Sequence, residues 1–245
     1  MIGINNRSNR RDFLKKCSAS LAGILVARKA PATIVKSMLG SRDIMATSTS
    51  ARLPSEYQEC QFLDSQGSAW IDTKVAAKAP VRADLKFLLN RTGADKSIIG
   101  TGGGSNRMYF GCHDYRFFFG YSSYVYGSQV ALNKVYNAIV NWVAGDAYAA
   151  VDGIHVADIT STYNVNYTSY AIGLFTRNLG ASSVSYVQNC KVYYCNIYSG
   201  ETLVRQFVPC WRKEDSKAGM YDLVNEVFYT NRGTGADFIC GGAVV

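Results

Sequence analysis

From residue 57 onward, apolar and polar positions alternate in short runs, each closed by Gly, Asn, Asp or Ser. Period-two alternation puts successive side chains on opposite faces of a pleated backbone, so these runs predict half-buried β-strands. They fall at 58–63, 69–73, 81–89, 97–101, 108–112, 117–121, 135–143, 147–151, 155–159, 170–176, 190–198 and 203–208. Within 190–198, Val192, Tyr194 and Asn196 are expected on one face and Tyr193, Cys195 and Ile197 on the other. Both faces are largely apolar, which puts that strand inside a two-layer structure. No stripe with a 3.6-residue period is sustained after Glu56, and the chain has only four prolines. Many short strands with frequent turn signals predict an all-β sandwich or barrel. Asp152-Gly153 is the sharpest turn signal: it joins 147–151 to an extended run from Ile154 and supplies the positive φ angles of a tight hairpin.

The closing segment 190–241 alternates β-rich runs with turns and carries an ordered string. It reads Val192-Tyr193, Cys195, Ile197-Tyr198, Leu203-Val204-Arg205, Phe207-Val208-Pro209, Gly219-Met220-Tyr221-Asp222, Phe228-Tyr229-Thr230-Asn231 and Gly233-Thr234-Gly235. This string resembles the end of LamG-like domains, the concanavalin A-like jelly rolls of secreted gut-bacterial and phage proteins. Upstream, Gly67 with Trp70-Ile71-Asp72-Thr73, the run Ala83-Asp84-Leu85-Lys86-Phe87, and Val151-Asp152-Gly153 extend the likeness. The resemblance implies a two-sheet antiparallel jelly-roll sandwich with Asp152-Gly153 in a central hairpin. That fold hosts lectins, glycan-binding modules, hydrolases and adhesive domains, so it implies no single activity.

The first 55 residues are a different regime. Asn9-Arg10-Arg11-Asp12-Phe13-Leu14-Lys15-Lys16 precedes a modestly apolar run at 17–27, and Arg28-Lys29 follows it. Paired arginines, then Phe13-Leu14, then a weak apolar segment resemble a bacterial twin-arginine export signal. The apolar run is too short for a membrane-spanning helix, which needs about 20 residues. The expected organisation is therefore a signal and linker at 1–55 and one jelly-roll domain at 56–245, exported through the twin-arginine translocase. Charge follows the same boundary. The net charge is +8, but residues 1–55 hold ten of the 26 Lys+Arg and two of the 18 Asp+Glu, leaving 16 of each for the body. A formally neutral body gives no support to nucleic-acid binding. Of seven cysteines, Cys17 lies in the leader, and the six others could form up to three disulfides in 15 pairings that the sequence does not choose between.

Catalytic signatures are missing. Gly100-Thr101-Gly102-Gly103-Gly104-Ser105 lacks the Gly-Lys-Ser/Thr ending of a phosphate loop and reads as an inter-strand connection. Glycoside hydrolysis needs two carboxyl groups across the scissile bond, and the Glu-x-Asp-x-x-Glu string of concanavalin A-like hydrolases is not present. Neither His113 nor His155 accompanies a Gly-x-Ser-x-Gly elbow. No cofactor is expected. Jelly-roll lectins often use calcium, but no Asp-x-Asp-x-Asp loop appears, and Asp95 and Asp146 are isolated loop acids.

What remains is aromatic. Tyrosine occurs 17 times, and the segment 113–126 concentrates rings beside polar partners. A sugar presents apolar C–H faces ringed by hydroxyls, which tyrosine with Asp, Arg or His can meet. Alternation sends about half of such rings into the core. His113, Arg116, Tyr121 and Tyr124 are the candidate ligand-binding residues, and Trp142 is expected in the core. The expected function is an exported, non-catalytic β-sandwich that binds glycan or a cell-surface protein. The alternatives are a divergent glycosidase and an adhesive interaction module. Replacing Arg10 and Arg11 by lysine is expected to strand the protein in the cytoplasm; cell fractionation that finds it exported as before would contradict the leader assignment.

Overall fold

The structure, a computed structural model, describes residues 52–103, 105–180 and 186–244. The leader residues Arg10, Arg11, Phe13 and Leu14 lie outside the described residues. Among the described residues there are seventeen strands and no helix. In chain order they are β1 Tyr57–Glu59, β2 Leu63–Asp64, β3 Ile71–Lys78, β4 Val81–Leu89, β5 Lys96–Thr101 and β6 Met108–His113. There follow β7 Arg116–Tyr121, β8 Ser123–Gln129, β9 Val135–Trp142, β10 Ala147–Val151, β11 Ile154–Ile159 and β12 Asn166–Leu174. The chain closes with β13 Cys190–Ser199, β14 Thr202–Arg212, β15 Lys217–Asp222, β16 Val227–Tyr229 and β17 Ile239–Cys240.

Two antiparallel sheets form a sandwich. The larger runs β11-β10-β9-β4-β13-β14-β15-β16, with β1, β2 and β17 attached along it, and the smaller runs β3-β12-β5-β6-β7-β8. Strict alternation on β4 buries Val81, Ala83, Leu85, Phe87 and Leu89 and leaves the residues between them half-exposed. Across the interior, the Phe87 ring meets Phe110 of the small sheet edge-on at 6.0 Å. Trp142 is fully buried as expected, and its indole Nε1 donates to the Gly120 carbonyl oxygen at 3.2 Å. That bond ties β9 of one sheet to β7 of the other.

Alternation fails on β13 for a local reason. The register against β4 shifts between Val192 and Tyr194, and a bulge of this kind reverses the face of every later side chain. Val192 therefore shares the core with Cys195 and Ile197, while Tyr193 and Tyr194 are half-buried. This corrects the expected grouping of Val192 with Tyr194 and Asn196.

The closing string is structural. The buried Asp222 carboxylate accepts from the backbone N–H groups of Gln206 and Val224 and from the Asn225 side chain, and it lies 3.5 Å from Arg205 Nε. The Asn231 side-chain oxygen accepts from the N–H groups of Trp70 and Gly233, holding the Gly-rich loop against the start of β3. Asp152 and Gly153, with φ of 51° and 81°, form the β10–β11 turn as the sequence predicts. Near the start of the described residues, Leu53 packs on Val208, Cys210 and Tyr221.

Cys60 and Cys240 form a disulfide across a separation of 180 residues. Cys112, Cys190, Cys195 and Cys210 are buried free thiols, and burial pushes Cys112 up to about 11 and Cys210 up to about 12. Closing so long a loop restricts the unfolded chain, so the Cys60→Ser/Cys240→Ser variant is expected to lose roughly 2–5 kcal/mol of stability. Urea unfolding measures this, and an unchanged midpoint would contradict it.

Candidate functional site

The β6–β7 hairpin turns on Asp114 and Tyr115, whose φ angles of 42° and 64° fit a two-residue loop that follows the strand twist. Its register pairs Phe110 with Phe119 and Cys112 with Phe117, all directed into the sandwich. The alternate pairs Tyr109–Gly120 and Gly111–Phe118 occupy the outer face. On β8 the register continues with Gly120 opposite Tyr124 and Phe118 opposite Tyr126. On β5, Gly100 lies opposite Tyr109 and Ser97 opposite Gly111. Across the strands, one row of this face alternates glycine and ring, Gly100–Tyr109–Gly120–Tyr124, and the next sets Ser97 and Gly111 beside the rings of Phe118 and Tyr126.

The small residues are there for steric reasons. A Cβ on Gly120 would stand 2.5–2.8 Å from three atoms of the Tyr109 ring, and one on Gly100 would collide with Tyr109 Cβ. With hydrogen at both positions, Tyr109 lies along the sheet and packs 4.8 Å from Phe118. Phe118 is the hub: Tyr126 stacks on it at 5.3 Å, and Tyr124 meets it edge-on at 5.6 Å. Each such ring pair adds about 0.5–1.5 kcal/mol beyond its buried area. Phe118 and Tyr109 are almost fully covered, whereas Tyr124 and Tyr126 remain 53% and 37% exposed and form the outer layer.

Charged groups rim these rings. Arg177 Cζ lies 4.6 Å from the Tyr109 centroid and 3.7 Å from that of Tyr186, while Arg107 Cζ lies 5.2 Å from Tyr124. The His113 ring is 4.8 Å from Tyr126, and its Nδ1 is 3.1 Å from Asp95 Oδ1 and 3.2 Å from the Asp95 backbone N. Asp95, Arg107, Tyr109, Phe118, Tyr124, Tyr126 and Arg177 enclose about 170 Å³. Burial raises the Tyr109 phenol above its usual range, and the nearby Arg107 and Arg177 pull it partly back. At neutral pH that hydroxyl keeps its proton and can both donate and accept.

The four candidates from the sequence separate. Tyr124 lines the pocket, and His113 supports it through Tyr126 and Asp95. Arg116 is exposed beyond the pocket, its Nε donating to the Gly127 carbonyl oxygen at 3.0 Å. Tyr121 is 0% exposed and belongs to the core. Alternation puts it on the same side of β7 as Phe117 and Phe119, so it cannot line a surface; the expectation for Tyr121 is corrected. Sequence reasoning did not single out Tyr109, Arg107 or Arg177, took Tyr126 only as part of the ring-rich segment, and weighed Asp95 only as an isolated loop acid. The Tyr124-x-Tyr126 spacing was a readable signal for a shared strand face, whereas Arg177 arrives from a distant connection and carries no local signal.

A larger cleft of about 510 Å³ opens where β8 and β11 approach, walled by Phe117, Val130, Tyr136, Val151, Ile154 and Val156. Three of its polar side chains are already engaged: Lys134 pairs with Asp152 at 3.1 Å, and the Tyr136 hydroxyl bonds the Ala131 backbone. His155, the second histidine, stacks on Tyr148 at 4.4 Å and pairs with Asp158, and it lines neither cavity. Among the described residues no three His, Cys, Asp or Glu side chains gather into a metal-binding group.

A crystal structure from Bacteroides ovatus, described as a "putative carbohydrate binding protein", matches this chain with a TM-score of 0.55 at 10% identity. The match covers 76% of this chain and 62% of that one, and at such identity the likeness is one of fold. No family model matches the chain, and no curated protein matches it.

If Tyr109 needs the space above Gly120, Gly120→Ala is expected to lower stability by about 1–3 kcal/mol, the usual scale of overpacking. In a Tyr109→Ala background the same change should cost little, because the obstructed ring is gone. Equal losses in both backgrounds, measured by thermal or urea unfolding, would contradict the packing argument.

Proposed function

We propose that this is an exported, non-catalytic β-sandwich of the LamG-like kind that binds carbohydrate on the outer face of its small sheet. The observation that carries the reading is the partly exposed pair Tyr124 and Tyr126, layered on Phe118 and Tyr109 and rimmed by Arg107, Arg177 and Asp95. Flat apolar rings with hydrogen-bonding groups at their edges suit a pyranose, which has C–H faces and equatorial hydroxyls. The rings are supported from below by packed strands, so little ordering entropy is lost when a ligand settles on them. The fold shared with the Bacteroides ovatus structure agrees with this reading.

Export rests on the leader motif around Arg10-Arg11, and the Cys60–Cys240 disulfide suits an oxidising compartment. The proposed binding needs no metal and no nucleophile. A second reading, contact with a cell-surface protein, is favoured by the apolar cleft between β8 and β11, where Ile154 is 69% exposed.

Binding of the full chain to a glycan panel, with and without calcium, tests the two against each other. Saturable binding that falls at least ten-fold in Tyr124→Ala/Tyr126→Ala and is unchanged in Tyr148→Ala is the expected result. Silence across the panel, with a stoichiometric envelope protein lost on Ile154→Asp, would replace the carbohydrate reading with the second.

A further inference from the structure

The tyrosine pocket has a chemical bias beyond its rings. A neutral sugar hydroxyl is both donor and acceptor, and sites for neutral sugars must offer both roles. Guanidinium groups only donate, with five N–H each. Two arginines line this pocket, and the non-phenolic side-chain acceptor among its lining residues is Asp95. Asp95 is itself engaged, with its carboxylate 3.1 Å from His113 Nδ1.

Some arginines of the body sit beside carboxylates. Arg82 is paired with Asp84, Arg205 lies near Asp222, and Arg212 is paired with Asp215. Arg177, by contrast, has no carboxylate within 4 Å among the described residues; it is stacked against Tyr109 and Tyr186 instead. Its buried Nε–H also has no acceptor among them. Ring stacking uses the flat faces of a guanidinium and leaves its in-plane N–H groups to meet a planar oxyanion. The body of the protein is formally neutral, so the local excess is not the overflow of a basic domain.

Resting on the carbohydrate reading above, we infer that the ligand is an acidic sugar, with its ring on Tyr124 and Tyr126 and a carboxylate directed to Arg177 and Arg107. A uronic acid residue has that form. The pocket volume of about 170 Å³ is on the scale of one such residue, so the neighbouring residues of a polysaccharide would extend over the exposed sheet face.

The test is calorimetric titration of the full chain with polyuronate oligosaccharides: galacturonan, alginate and glucuronan. Each is paired with the same oligosaccharide after reduction of its carboxylates to alcohols, and sulfated dextran serves as a second polyanion. At least one polyuronate is expected to bind ten-fold or more tighter than its reduced form. Arg177→Gln should remove that preference, so that the polyuronate and its reduced form bind the variant with equal affinity. Arg177→Lys, which keeps the charge without the planar fork, should keep only part of it. Equal binding of a polyuronate and its reduced form would overturn the acidic-sugar inference and leave the carbohydrate reading standing. Binding of sulfated dextran in preference to every polyuronate, insensitive to Arg177→Gln, would overturn it as non-specific polyanion attraction. No binding to any chain, acidic or neutral, would overturn both.

Discussion

The alternation of β7 is the constraint on which the rest depends. Arg116-Phe117-Phe118-Phe119-Gly120-Tyr121 must fill two layers at once, because successive residues of a strand face opposite ways. Phe117, Phe119 and Tyr121 enter the sandwich, while Phe118 and Gly120 turn outward beneath Tyr109, Tyr124 and Tyr126. A slip of one residue would exchange the two sets, exposing three core rings and burying the glycine space. Trp142 opposes such a slip by donating from the opposite sheet to the Gly120 carbonyl oxygen. The proposed binding face and the hydrophobic core are therefore specified by the same register.

This coupling separates two uses of aromatic residues that composition alone merges. The inner rings stabilise through burial, with Phe87, Phe110, Phe117 and Tyr136 in mutual contact across the sandwich. The outer rings are layered on the sheet with one side open, a state that soluble proteins seldom maintain over a contiguous patch without using it. Glycine enables the layering because it gives up its side-chain volume to a neighbouring strand. The closing segment has another role: Asp222 and Asn231 hold turns together and bring no group to the pocket.

Much of the fold was legible in the sequence because the sandwich has one buried face per strand, and period-two alternation reports that directly, as on β4 and β9. The Asp152-Gly153 turn was readable from backbone chemistry. The bulge on β13 was not, since an extra residue leaves no mark in an apolar run that is rich on both faces. β8 was missed because only Gly127 of its seven residues is buried, so it lacks the apolar alternation of a core strand. At the candidate site, Tyr124 and His113 could be read from a ring-rich segment. Tyr121, two residues beyond Phe119, needed the strand register to be assigned inward. Arg107 and Arg177 could not be found this way: they come together from separate connections, and proximity across the fold has no signature in a single sequence.

The central claim is that sugar rests on the outer tyrosines of the small sheet, and chemical footprinting reads it directly. Tyrosines of the folded protein would be nitrated with and without a saturating mixture of glycan oligosaccharides, and modified positions located by mass spectrometry. The account requires Tyr124 and Tyr126 to be modified in the free protein and protected by glycan, with Tyr193 and Tyr198 of the large sheet unaffected. Protection confined to the large sheet, or no change at Tyr124 and Tyr126 under saturating ligand, would contradict it.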